Sequence, residues 1–194
     1  MPRDTARRVA LADAATDYVL EHGLLDLSLR PLAADLGTSD RMLLYHFRSK
    51  DDLVATVLHV ANDRSVALVR ALPPAPDVRT AVRDLWAAMR TPALARCQRT
   101  YVEAAAMRLF GAEPYASVVR EGNAIWVAAV TEFLVASGAS PTHAGRAVSL
   151  LDAALTGFQL DLPLDEGDPN QTRAVLDLAD AVAGIATRPG HGSA

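Results

Sequence analysis

Ser28 to Leu53 reads SLRPLAADLGTSDRMLLYHFRSKDDL, and the reading of this stretch decides the fold. Ser28 stands where an N-cap belongs, and Pro31 falls in the first turn, where its missing N–H costs least. Leu29, Leu32, Ala33 and Leu36 recur at helical spacing and predict one buried side. Gly37 ends this short helix. Ser39 caps the next one, and Asp40 in its first turn suits the helix dipole. Leu43 and Phe47, four residues apart, form its inner face. Asp40, Arg41, Leu44 and Tyr45 then project outward, with Met42 at the side. Ser49 with Asp52 is a capping-box-like start for a further helix carrying Leu53, Val57, Val60 and Ala61. Two short helices joined by Gly37-Thr38-Ser39 and braced by a preceding helix make a helix-turn-helix pattern.

The bracing helix is expected over residues 5–22, capped by Asp4 or Thr5, with Val9, Ala12, Ala15, Val19 and Leu20 as its apolar stripe and Gly23 after its end. Leu24, Leu25 and Leu27 continue as an apolar connector. On the other side, Pro73, Pro74 and Pro76 stop the helix that starts at Ser49. Asp77 caps a helix to about residue 90, and others are expected over about 92–110 and 115–137. Ser140-Pro141 opens one carrying Ala144, Val148, Leu151, Leu155 and Phe158. Residues 162–170 read as a loop, 171–187 as a last helix, and the end of the chain as a flexible tail. The fold class is therefore all-α. An N-terminal three-helix module with a helix-turn-helix (1–50) joins a larger helical domain (51–188) and a tail (189–194).

Composition agrees. Hydrophobic residues make up 51% of the 194, enough for a sizeable core, and only 5% are aromatic, which favours helix packing over sheets. One cysteine, Cys97, permits no disulfide within the chain and suits a reducing compartment. No run approaches the roughly 18–20 apolar residues of a membrane span, and the N-terminus lacks a signal-peptide core. A cytoplasmic protein is the expectation. The net charge of −4 does not advertise a partner for nucleic acid: residues 1–72 hold 9 basic against 10 acidic side chains. Any nucleic-acid contact must rest on the placement of a few cations. Enzymatic motifs are missing: there is no GxSxG, GxxxxGK or HExxH, and the five histidines show no metal-ligand spacing. No catalytic residue, metal or cofactor is expected.

The chemistry of the outward face is that of a DNA reader. Arginine offers a two-point contact to the O6 and N7 edge of guanine, so Arg41 is the candidate base reader, with a phosphate contact as its other reading. N–H groups near Thr38 and Ser39 suit a phosphate. Arg30 and Lys50, the chain's only lysine, are placed to reach the DNA backbone. Arg7 and Arg8 read equally as phosphate contacts or as a solvated helix start.

These residues resemble a family. Leu11 to Leu53 is similar to the DNA-binding domain of TetR-family transcriptional regulators. The resemblance is carried by Ala14-Ala15, Gly23, Ser28-Leu29-Arg30, Leu32-Ala33, Leu36-Gly37-Thr38-Ser39, Leu43, Tyr45-His46-Phe47 and Ser49-Lys50-Asp51-Asp52-Leu53. It implies DNA contacts at Arg30, Thr38, Ser39, Asp40, Arg41, Met42, Leu44, Tyr45, His46 and Lys50. Three positions depart from it: Pro31 where Asp is frequent, Arg41 where a small residue is common, and Leu44 for a Tyr that touches the DNA backbone. Tyr45 or His46 is left to take over that hydrogen bond.

The resemblance further implies a homodimer on a near-palindromic double-stranded operator, a small-molecule ligand of unknown identity, and a nucleoid-associated repressor. Trp86, Met89, Cys97, Tyr101, Met107, Asn123 and Trp126 are the candidate ligand residues, each with ordinary core packing as its other reading. Arg99 and Glu103, four apart, read as a surface pair. The dimer is expected to form as a four-helix bundle through Leu151, Ala154, Gly157, Phe158, Val175, Leu178 and Val182, faces that a monomer would bury internally. The alternative function is a helical dimeric interaction protein of the same fold without DNA binding.

Overall fold

The structure, a computed structural model, describes residues 2–161 and 169–188. Among the described residues there are nine helices and no strand, as the all-α reading requires. They are α1 (Pro2–His22), α2 (Leu29–Asp35), α3 (Asp40–His46), α4 (Lys50–Arg70), α5 (Val78–Met89), α6 (Pro92–Leu109), α7 (Tyr115–Ala136), α8 (Pro141–Asp161) and α9 (Pro169–Ala186). α1 starts before Asp4, so Asp4 sits inside its first turn rather than capping it. α9 takes in Pro169 and Asn170, which read as loop from composition. The rest of that expected loop, 162–168, and the tail from 189 lie outside the described residues.

The chain divides into two compact units: Met1–Ser65 with Ala95–Ala124, and Val66–Leu94 with Ile125–Ala194. The divisions fall inside α4, α6 and α7, so these helices run through both units.

In the first unit, Leu11, Ala15 and Val19 of α1, Leu32 of α2, Leu43 of α3, then Phe47, and Leu53 and Val57 of α4 form one core with Ala104 and Val119. Of the expected stripe on α1, Ala12, Ala15, Val19 and Leu20 are buried, while Val9 is 57% exposed and Leu11 is buried in its place. Leu43 and Phe47 are fully buried. Truncating Phe47 to Ala costs about 3–5 kcal/mol by the ordinary scale for buried aromatics, and this pair is what fastens a seven-residue helix to the module.

In the second unit, Leu85 and Trp86 of α5, Phe133 and Leu134 of α7, Leu151 and Leu155 of α8 and Val175 and Val182 of α9 share a core with Val66 and Val69. α9 packs on both α5 and α8. The Ser140 N–H donates to the Ala186 carbonyl at 2.9 Å, tying the start of α8 to the end of α9.

Candidate nucleic-acid interface

The turn between α2 and α3 is built by backbone chemistry that the sequence specifies. Gly37 takes φ +62°, the left-handed position that glycine adopts without Cβ cost. The Thr38 N–H then donates to the Ala33 carbonyl at 2.9 Å and the Gly37 N–H to the Ala34 carbonyl at 3.2 Å, the paired bonds of a Schellman ending. Ser39 caps α3, its hydroxyl accepting from the Met42 N–H at 3.3 Å. That leaves the Met42 N–H unavailable to a phosphate. Ser28 occupies the N-cap position of α2 in extended conformation but makes no side-chain cap bond.

The seating of Leu43 and Phe47 turns the other side of α3 to solvent. Asp40, Arg41, Met42, Leu44 and Tyr45 are exposed, Tyr45 at 68%. Ser39, Arg30 on α2 and Lys50 at the start of α4 are exposed too, and Thr38 is half-buried. His46 is the exception among the expected contacts. Its side chain is only 6% exposed, with Nδ1 3.3 Å from Asp4 Oδ1. It is turned inward, so of the two candidates only Tyr45 presents its polar group on this face. Sequence spacing placed His46 beside Tyr45 but carried no sign of Asp4 waiting beneath it.

Two arginines of the N-terminal region are engaged within the protein. Arg8 donates to the His46 carbonyl at 3.0 Å and pairs with Asp52 at 3.3 Å. Arg64 of α4 reaches back to α1, bonding Asp17 at 2.5 Å and Asp13 at 3.2 Å. The Ser49 hydroxyl accepts from the Asp52 N–H at 3.0 Å as the capping-box reading expects, while the Asp52 carboxylate goes to Arg8. Arg99 and Glu103 are not a bare surface pair. Arg99 donates to the Leu20 carbonyl at 2.6 Å, and Glu103 accepts from the Leu24 N–H at 2.5 Å.

The expected ligand residues fall into two sets. Cys97, Tyr101, Met107 and Asn123 belong to the first unit, and Trp86, Met89 and Trp126 to the second. In the first, the Tyr101 hydroxyl donates to Asn123 Oδ1 at 3.4 Å, Met107 is half-buried, and Cys97 packs with Leu20 and Ala61. Burial pushes the Cys97 thiol up, against the opposing charges of Arg64 and Arg96. Sequence reasoning missed Asn62 and Gly122. The Asn62 Nδ2 is buried with no hydrogen-bond partner among the described residues, and a Cβ at Gly122 would meet its Oδ1 at 3.3 Å. In the second unit Trp86 and Met89 are core, and the Trp86 ring meets Phe158 edge-on at 5.7 Å. Trp126 Nε1 donates to Asp152 Oδ1 at 3.1 Å. Burial raises the Asp152 carboxyl above the usual range, against the lowering effect of that bond.

The expected dimer residues need correction. Leu151, Val175, Leu178 and Val182 are at most 8% exposed and lie in the chain's own second core. Ala154 and Phe158 are half-buried against it, and of the set only Gly157 is exposed. The large apolar side chains left outward among the described residues of α8 and α9 are Leu150 (40%), Leu160 (56%) and Leu176 (45%). α9 also packs on α5, and this third helix takes up the face that α8 and α9 alone would leave bare.

Among the described residues, no helix is long and apolar enough to cross a membrane, and no group of His, Cys, Asp or Glu side chains could hold a metal ion.

Comparison with known proteins agrees with this geometry. A family model described as bacterial regulatory proteins, tetR family, matches residues 11–57. No curated protein sequence matches the chain significantly. Among solved structures, a Rhodococcus sp. protein assigned to the TetR-family transcriptional regulators superposes with a TM-score of 0.70 at 20% identity, over 94% of this chain and 100% of that one. The multidrug binding protein EbrR complexed with imidazole gives 0.67 at 25% identity, over 96% and 98%. BioQ with its natural double-stranded DNA operator gives 0.57 at 21%, over 91% and 98%.

Proposed function

We propose that this chain is a DNA-binding transcriptional regulator of the TetR family and acts as a repressor whose hold on its operator is released by a small molecule. The observation that carries the DNA-reading part is the outward face of α3, where Arg41, Met42, Leu44 and Tyr45 stand exposed over the fully buried Leu43 and Phe47. In this reading residues 1–50 read DNA and residues 51–188 bind ligand and partner. α3 enters a major groove, Arg41 reads a base, Tyr45, Arg30 and Lys50 hold phosphates, and Asp40 serves the helix dipole.

Two copies place their α3 helices in half-sites about one helical turn apart, roughly 34–36 Å, or a multiple of it. BioQ's complex with operator DNA supports the reading by analogy of fold. The dimer face is assigned to the outward side of α8 and α9, at Leu150, Leu160, Gly157 and Leu176. The ligand is assigned to the first unit, where the unpaired Asn62 amide and the Tyr101–Asn123 pair offer polar partners. EbrR's complex with imidazole supports a small-molecule ligand. The ligand can shift DNA binding by no more than its differential affinity for the two states.

Selection of bound duplexes from a random library tests the reading directly, with enrichment of one near-palindromic sequence expected. Arg41→Ala should then relax preference at one base pair and cost about 1–3 kcal/mol. Lys50→Ala should weaken binding to every sequence and make the salt slope shallower by about one unit. The near-neutral N-terminal region, 9 basic against 10 acidic residues over 1–72, favours one other reading, an interaction protein that binds no DNA. Failure to enrich any duplex at low salt would overturn the DNA reading and leave that one. Glu at Leu150 and Leu176 should give helical monomers in sedimentation, and intact dimers would overturn the interface assignment.

A further inference from the structure

Arg8 is a cation to which the DNA-reading proposal gives no role. It lies on α1 and is linked to three consecutive parts of the reading module. Its Nε–H donates to the His46 carbonyl, the last residue of α3, at 3.0 Å. Its guanidinium carbon sits 5.3 Å from the centroid of the Phe47 ring, the C-cap of α3. Its terminal nitrogen lies 3.3 Å from Asp52 Oδ2 in the first turn of α4. One turn earlier on the same helix, Asp4 meets the His46 ring nitrogen at 3.3 Å.

The physical need for such a link is plain. α3 has seven residues, too few to be stable alone, and its last carbonyls have no partner within the helix. A cation at that end meets both the orphan carbonyl and the negative end of the helix dipole. Residue 48, directly after the C-cap, takes φ +24°, a conformation L side chains rarely adopt. The connector from α3 to α4 therefore passes through an unfavourable backbone state that something must hold. Only a planar fork can donate to a carbonyl through one nitrogen, pair with a carboxylate through another and lie over an aromatic ring; an ammonium cannot do all three.

We infer that Arg8 is a positioning residue for the reading helix: it holds the C-terminal end of α3 against α1 and α4, and so sets the angle at which the exposed face meets DNA, without contacting DNA itself. This rests on the reading of α3 as the DNA-contacting helix. The competing role, a phosphate contact, is a real one, because the Arg8 side chain is 45% exposed. Salt dependence separates the two. A phosphate contact contributes nearly one unit of slope in log affinity against log salt, and a positioning residue contributes none.

The test uses Arg8→Met, which keeps an unbranched stem over Phe47, and Arg8→Lys, which keeps the charge. Each is measured for amide exchange over residues 43–48 in the DNA-free protein, and for affinity toward the library-selected duplex and a random duplex across a salt series. For Arg8→Met the expected result is exchange over 43–48 faster by about tenfold, the worth of a charge-assisted hydrogen bond at a half-exposed site, with core amides at Leu53–Val57 unchanged. Selected-duplex affinity should fall by about the same factor, while random-duplex affinity and salt slope stay at the wild-type values. Arg8→Lys should recover part of the loss. Equal weakening on both duplexes with a slope shallower by about one unit would make Arg8 a phosphate contact and overturn the inference. Unchanged exchange over 43–48 would overturn it as well. A wild-type chain that enriches no duplex would remove the DNA reading, and the exchange measurement alone would then decide whether Arg8 holds α3.

Discussion

Replacing Glu103 by alanine should destabilise the first unit by about 2 kcal/mol, a large effect for a position four residues from an oppositely charged neighbour on a helix surface. α1 ends where Gly23 takes φ +92°, and the chain then turns into Leu24, which is only 2% exposed. The Leu24 N–H is thus withdrawn from water, and its partner is the Glu103 carboxylate at 2.5 Å. The Glu103 side chain is itself 16% exposed, so water replaces it poorly. Losing a charge-assisted hydrogen bond and leaving a buried donor costs about 1.5–3 kcal/mol. The Arg99–Glu103 pair, 3.8 Å apart with Arg99 half exposed, adds little. Glu103→Gln keeps an acceptor oxygen and should lose about half as much.

Urea unfolding by far-UV circular dichroism reads the total, and amide exchange at Leu24, expected to rise about thirtyfold, reads the local effect. Tryptophan fluorescence is the wrong probe for this variant, because Trp86 and Trp126 both sit in the second unit. An alanine variant within about 0.5 kcal/mol of wild type, with Leu24 protection unchanged, would refute the argument.

Two further outcomes follow from buried titratable groups. Burial raises the folded-state Asp152 carboxyl above its unfolded value, against the bond from Trp126. Between those two values the native state holds the extra proton, so stability falls as pH rises through that window. Asp152→Asn keeps an oxygen for Trp126 and removes the slope. It should be more stable than the parent at neutral pH and converge with it in acid, read by tryptophan fluorescence in urea; parallel pH curves would exclude this account. The Cys97 thiol, 6% exposed and pushed up by burial, should react with iodoacetamide at neutral pH at least about a hundredfold more slowly than a free thiol, and only as fast as the first unit opens. Prompt labelling of the native protein would contradict its placement.

Much of the reading module was legible because its determinants are local. The i,i+4 pair Leu43 and Phe47, the cap at Ser39 and the left-handed turn at Gly37 act within one or two helical turns, and each appears where spacing put it. The same spacing set out Arg41, Leu44 and Tyr45 as the outward face, since fixing two buried positions on a helix fixes the others. Where spacing fell short, the deciding partner lay far along the chain. Val9 and Leu11 are both apolar, and only the packing of α1 into the module buries the second and exposes the first.

The sequence by itself determined the helices, their order, the helix-turn-helix and the absence of enzymatic motifs, because helix periodicity, caps and turn residues are properties of near neighbours. Tertiary structure alone decided which charges are free. Arg8 and Arg64 are bound to carboxylates 44 and 47 residues away, His46 is turned toward Asp4, and Glu103 holds a backbone N–H 79 residues earlier. It also decided that Leu151 and Leu178 belong to the chain's own core, since α5 completes a packing that α8 and α9 alone left open. Partners at such separations leave no periodic trace in a sequence, because the pairing is set by how helices pack and not by the step along any one of them.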